Sequence, residues 1–204
     1  MPPKGYRPKA LLFDLGGVVV HWTGVAEICR LSGLTKDQVL NKFANSKIAL
    51  AFERGVCTNE AFLHELNAMF RFDYSPRQAT ELWNSWVGAP YSGVLKALKH
   101  LKKDFTVACL SNTNDLHWKH LNAYFNCSQI FEPALASHQL HASKPNRECF
   151  LKAIKAVNCM AEDILFFDDS PLNVEAAISL GMQAILIAPE EGVLPTLQKL
   201  GLVN

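Results

Sequence analysis

Long apolar runs are missing from this chain. Nothing in its 204 residues approaches the ~20 consecutive apolar residues of a membrane span. Charge of a single sign is missing too, with 20 Lys and Arg against 19 Asp and Glu. That balance favours neither a nucleic acid nor an anionic membrane as partner, so any affinity for phosphate has to be local to one site. Paired cysteines are absent: the six, at 29, 57, 109, 127, 149 and 159, form no Cys-x-x-Cys, and the seven histidines do not cluster with them. A zinc centre is thereby excluded, and the thiols read as the reduced cysteines of a cytoplasmic protein. The opening Met1–Pro8 has prolines and basic residues but no apolar segment of a secretory signal. Repeats and low-complexity tracts are also lacking, and nothing fixes an oligomeric state. What remains is a chain that is 49% apolar and long enough to bury a full core.

The stretch that organises it is Ala10-Leu11-Leu12-Phe13-Asp14-Leu15-Gly16-Gly17-Val18-Val19. An apolar run too short for a helix stops at a carboxylate and then a pair of glycines, which predicts a buried strand of a parallel sheet. The crevice beyond the carboxyl ends of such strands is where ligands bind in open α/β sheets, so Asp14 is placed for chemistry. Three further stretches repeat the pattern. Phe105–Leu110 ends in Ser111-Asn112-Thr113-Asn114, Lys144-Pro145 stands alone, and Ile164–Phe167 ends in Asp168-Asp169-Ser170-Pro171. In order, these are a nucleophile, a hydroxyl, a lysine and an acid pair. Capping of the following helices is the alternative use for Ser111, Asn112 and Asp168-Asp169.

With these four stretches the chain resembles the haloacid dehalogenase-like (HAD) hydrolase superfamily along its whole length. The wording FDLGGVV, LSNT, SKP and FFDDSPLNVEAA is most similar to small phosphatases acting on sugar phosphates and similar monoesters, and to the N-terminal phosphatase domain of epoxide hydrolases. The implied fold is α/β, a Rossmann-like parallel sheet with a small helical cap inserted after the first strand. Residues 1–22 and 88–204 would form the HAD core and 23–87 the cap domain. Helical periodicity from Gly24 to about Val87, with no strand, predicts about four cap helices, starting at Thr35, Thr58 and Ser75-Pro76 among others. Downstream, strands are expected at Phe105–Leu110, Ile130–Ala136, Ile164–Phe167 and Met182–Ile187, separated by helices.

The resemblance implies Mg²⁺-dependent hydrolysis of a small phosphorylated metabolite, possibly a sugar phosphate, through an aspartyl-phosphate on Asp14. Three carboxylates side by side would repel one another without a cation between them, and Mg²⁺ takes oxygen ligands. Asp14, the Gly16 carbonyl and Asp169 are the implied metal ligands, with Asp168 beside them. Lys144 would neutralise the phosphoryl group and hold Asp14, Ser111 and Asn112 would donate hydrogen bonds to it, and Asn173 would orient Lys144 or a water. Gly16 departs from the pattern, because most phosphatases of the superfamily carry an Asp there that protonates the leaving group. His21 is the nearest substitute in sequence. A 2-haloacid dehalogenase, which also lacks that Asp but needs no metal, is one alternative; a weakly catalytic member that binds a phospho-ligand or partner is another. Within the cap, the Phe52-Glu53-Arg54-Gly55 turn is expected to reach the site, and Trp22, Trp83 and Trp86 to form apolar walls or hinge packing.

Overall fold

Alternation along the strands decides which residues build the two faces of the sheet. The computed structural model describes residues 5–204, so the first four residues of the basic, proline-bearing tail lie outside the described part. The chain runs β1 (Ala10–Phe13), β2 (Val20–Trp22), then α1 (Gly24–Ser32), α2 (Lys36–Asn45), α3 (Lys47–Glu53), α4 (Asn59–Phe70) and α5 (Pro76–Ser85). It continues as β3 (Val87–Pro90), α6 (Val94–Leu101), β4 (Thr106–Ser111), α7 (Asp115–Phe125), α8 (Cys127–Ile130), β5 (Ala134–Ala136), α9 (Ser137–Leu140) and α10 (Arg147–Val157). β6 (Ile164–Asp168), α11 (Pro171–Ser179), β7 (Gln183–Leu186) and α12 (Leu194–Lys199) complete it.

Five strands form a parallel sheet in the order β5-β4-β1-β6-β7. Leu11, Phe13, Val107, Cys109, Leu165 and Phe167 enter one apolar cluster. Their neighbours Ala10, Leu12, Ala108, Leu110, Ile164 and Phe166 enter the other. Burial on both faces is what helices on both sides of a parallel sheet require. From the central β1 the chain goes to β4 on one side and later to β6 on the other, so the crevice opens at the carboxyl end of β1.

The helices α1 to α5 have a third apolar cluster of their own, built on Ile28, Phe52, Phe62, Leu66, Trp83 and Trp86. Thr35 and Ser75 start α2 and α5 with reciprocal capping boxes to Gln38 and Gln78, and Thr58 caps α4, as the sequence predicts. Two findings depart from that reading. A two-stranded antiparallel ribbon, β2 with β3, closes the base of the helical segment by pairing Val20 with Pro90 and Trp22 with Val87. The strand expected over Ile130–Ala136 is confined to Ala134–Ala136, because Asn126 turns left-handed (φ 53°) and the chain winds one more helical turn through Ile130. Left-handed geometry at a helix end is a conformation that Asn tolerates. The six cysteines are free thiols, and no helix among the described residues is long and apolar enough to cross a membrane.

Candidate active site

Asp14 follows β1 directly, and its peptide N–H donates to the Phe167 carbonyl of β6 at 2.9 Å, which carries the strand pairing one step past the ladder. Its side chain keeps 13% of its surface exposed, at the floor of a cavity of about 420 Å³ that Ser111, Asn112 and Asp169 also line. Lys144 comes from the loop between α9 and α10, and its side chain is wholly buried. Its ammonium lies 2.9 Å from Asp14 Oδ1 and 2.7 Å from Asp168 Oδ2, with the Phe166 ring 5.5 Å away. Burial works against that charge, but Asp14 and Asp168 outweigh it and hold the lysine above its ordinary pKa.

Asp168, at the end of β6, is fully buried, and both its oxygens are taken. One accepts from Lys144; the other accepts from the Ser170 N–H and the Asn173 amide, each at 2.9 Å. Asn173 therefore fixes Asp168 rather than touching Lys144 itself. Asn112 grips the Lys144 peptide at both ends: its amide donates to the Lys144 carbonyl and its oxygen accepts the Lys144 N–H, both at 2.8 Å. Lys144 is thus held by its backbone and its side chain at once.

Asp14, Asp168 and Asp169 offer oxygens that all lie within 4.8 Å of one another. Burial first, then Lys144 in opposition and the two neighbouring carboxylates in support, leaves the Asp14 carboxyl raised to about 7. Asp169 is raised as well, by burial and by Asp168. Three carboxylates against one ammonium leave a surplus of negative charge, and an all-oxygen donor set suits a hard divalent cation. Since Asp168 is spent on Lys144, Ser170 and Asn173, the oxygens open to such an ion belong to Asp14 and Asp169. Gly17 admits the Asp169 carboxylate: a Cβ on Gly17 would stand 2.5 Å from Asp169 Oδ2, and its φ is +73°. At Gly16 φ is not positive, and an added Cβ would meet only Trp22, at 3.5 Å.

The cavity walls above this floor come from the helical segment and its junctions. Val25, Phe43, Leu50, Phe52, Phe62 and Trp83 line it, with Trp22 at the β2 end. Trp86 is buried in the helical cluster instead. Of the turn 52–55, Phe52 and Glu53 line the cavity and Gly55 packs on the backbone of His138, where a Cβ would stand 2.2 Å from the carbonyl oxygen. That turn is tied down by the Ser137 hydroxyl, which donates to the Glu53 carbonyl at 2.7 Å, and by His141 Nδ1, 2.9 Å from the Arg54 carbonyl. Burial raises the Glu53 carboxyl above the ordinary glutamate value, with Ser143, Lys144, Arg54 and Asn112 opposing. His21 is not brought into the site; it is exposed and packs on the Tyr91 ring, 3.9 Å between centroids.

Sequence reasoning missed Asn114 and His117, which fasten α5 to α7. Asn114 caps α7 by accepting the His117 N–H and also accepts from Trp83 Nε1; His117 Nε2 lies 2.8 Å from the Trp83 carbonyl, and its ring stacks on Trp83 at 4.7 Å. Burial lowers the His117 pKa to about 4, the Trp83 carbonyl only partly offsetting it. The Asn114-Asp115 pair at a strand-to-helix junction was the available signal for the cap, but nothing local announces the Trp83 contact.

Comparison with known proteins is in keeping with this arrangement. Residues 8–181 match the family model described as haloacid dehalogenase-like hydrolase. The sesquiterpene phosphatase astK of Aspergillus oryzae is 27% identical over 175 residues, 85% of this chain and 87% of its own length. The drimenol cyclase drtB of Aspergillus calidoustus is 24% identical over 91% of this chain, which spans only 35% of that protein. Among solved structures, the HAD family enzyme bt-2542 of Bacteroides thetaiotaomicron, in complex with magnesium and inorganic phosphate, superposes with a TM-score of 0.74 at 27% identity, over 89% of this chain and 94% of that one. With its parallel sheet, its strand-end carboxylates and a family match over most of its length, the chain belongs to the haloacid dehalogenase-like hydrolases.

Proposed function

We propose that the chain is a Mg²⁺-dependent phosphomonoesterase that works through an aspartyl-phosphate on Asp14. The observation that carries this reading is the buried Lys144 pinned between Asp14 and Asp168, which fixes a strand-end carboxylate at the floor of a cavity. The relative named as a phosphatase and the neighbour holding magnesium and phosphate support it. Asp14, Asp169 and the Gly16 carbonyl would hold the cation, which when bound offsets the carboxylate charge and polarises the phosphoryl oxygens. Residues 1–22 and 88–204 act as the core and 23–87 as the cap domain, which closes the site against water.

The Asp14 carboxylate attacks phosphorus, the ester P–O bond breaks, and the alcohol leaves with a proton. Water then attacks the acyl phosphate, releasing inorganic phosphate and freeing the carboxylate. Lys144 opposes the protonation of Asp14 and aims it while facing the phosphoryl charge, Asp168 and Asn112 keep Lys144 in place, Asn173 keeps Asp168 in place, and Ser111 donates to a phosphoryl oxygen. With no side chain at Gly16 and His21 turned away, the leaving-group proton comes from Glu53, the half-buried carboxyl that the cap places on the same cavity. The dehalogenase alternative gains nothing from this site, because its chemistry has no use for the surplus of carboxylates.

The test is release of phosphate from an aryl phosphate with and without EDTA. Asp14→Asn is expected to abolish the reaction and chelation to stop the wild type. A wild-type rate indifferent to EDTA would remove the metal from the scheme, and turnover of a 2-haloacid but of no phosphate ester would replace it with dehalogenation.

A further inference from the structure

The cavity above Asp14 is built of two unlike parts, and one of them is walled mainly by apolar side chains. Its side walls are Val25, Phe43, Leu50, Phe52, Phe62 and Trp83. Two of the apolar lining residues, Trp22 and Leu50, are each left 40% exposed. Three polar side chains, Thr113, Asn114 and His117, stand beside these walls, and the last two are spent. Asn114 accepts from the His117 N–H and from Trp83 Nε1, while His117 is held to Asn114 at one ring nitrogen and to the Trp83 carbonyl at the other. Glu53 also lines the cavity, where Ser143, Lys144, Arg54 and Asn112 favour its charged form against burial. A sugar placed here would bury several hydroxyls without partners, and each buried unpaired hydroxyl weakens binding.

Resting on the phosphomonoesterase reading, we propose that the alcohol released at this site is an apolar hydrocarbon group rather than a sugar. The cavity of about 420 Å³ has room for a phosphoryl group and an alkyl chain together. The phosphate lies at the strand ends by Asp14, Ser111 and Lys144, and the hydrocarbon runs out between Phe43, Phe52 and Trp83 to cover Leu50 and Trp22 at the mouth. The bonds made and broken are those of ordinary monoester hydrolysis: the ester P–O bond breaks, water supplies the oxygen of the phosphate, and the alcohol takes the proton.

Ethyl, butyl, hexyl, octyl and decyl phosphate, assayed with Mg²⁺ beside hexose phosphates and an aryl phosphate, test this. The expected result is a kcat/KM that climbs by up to about fourfold for each added methylene, with decyl phosphate on the order of 100-fold ahead of the hexose phosphates. A rate indifferent to chain length, or hexose phosphates ahead of decyl phosphate, would overturn the proposal while leaving the phosphatase reading intact. If no ester at all is hydrolysed, the phosphatase reading fails, and titration calorimetry with the matching alkyl phosphonates then decides the cavity: affinity rising with chain length supports the apolar site, and flat affinity overturns it. Leu50→Glu, at a half-open wall position that tolerates a charge for folding, is expected to cut the decyl-to-ethyl ratio about tenfold; an unchanged ratio in the folded variant counts against the assignment.

Discussion

The floor and the walls of one cavity follow opposite rules. At the floor, charges are buried and answer one another: Asp168 has both oxygens filled, and Lys144 is held by two carboxylates and by its own peptide group. In the walls there is no ion pair; rings stack instead, Phe52 on Phe62 at 3.9 Å and Trp83 on His117 at 4.7 Å. The floor is made by strand ends whose backbone is already fixed by pairing, so it can hold charge in a stated geometry. The walls are made by short helices with a cluster of their own, so they can set size and polarity without disturbing the floor. On the proposed function, reaction and selection are separated by secondary structure.

Removing the central charge of the floor is expected to have the largest effect. Lys144→Met leaves the buried Asp168 carboxylate unpaired, and breaking a buried pair from one side costs about 3–5 kcal/mol. Denaturant unfolding should show that loss together with the loss of activity, and adding Asp168→Asn to the same variant should return part of the stability but none of the activity. A Lys144→Met protein as stable as the wild type would mean that the floor is not held together by charge.

The next effect joins floor to wall. Glu53→Gln keeps a group able to reach Ser143 and Asn112 but has no proton to give, and losing a general acid costs about 10² or more in rate. The loss should fall on alkyl phosphates, whose alcohols leave poorly, and spare aryl phosphates. An equal loss on both would make Glu53 a residue that only positions the cap.

The most gradual effect concerns the pinning of the wall to the sheet. His117 is held neutral with a pKa of about 4, against about 6.5 in an unfolded chain. Between those values the unfolded state binds the extra proton, so the stability that neutral His117 contributes is present above about pH 6.5 and falls by about 1.4 kcal/mol per unit as the pH drops toward 4. Thermal unfolding at a series of pH values should show this acid limb in the wild type and a shallower one in His117→Gln. Parallel curves would show that the ring titrates freely in the folded protein.

Most of the floor is legible in the sequence, and most of the wall is not. Asp14, Ser111 and Asp168 each end a short apolar run, so a local pattern is enough to place them at one edge of a parallel sheet. The partner choices are less visible: that Asn112 grips the Lys144 peptide and Asn173 grips Asp168 depends on loops meeting across the sheet. The wall residues Val25, Phe43, Leu50 and Phe62 come from four different helices and have the spacing of ordinary core positions, so only the packing of those helices turns them toward a ligand. The β2–β3 ribbon escapes notice for a related reason, since its strands are three and four residues long and one contains Gly88 and Pro90. Pattern alone cannot distinguish so short a pairing from a helix boundary.

The two adjacent glycines after Asp14 look alike in the sequence, but they do not have the same freedom to change. Glycine and aspartate codons can differ by a single base, so either position is one point mutation away from a carboxylate. At Gly17 that mutation is closed off, since the backbone is left-handed and the space belongs to Asp169. At Gly16 it is open, since the backbone suits any residue and the first side-chain carbon has ordinary room beside Trp22. The missing acid at Gly16 is therefore not imposed by the backbone, and one substitution would start a side chain there without a clash at its first carbon.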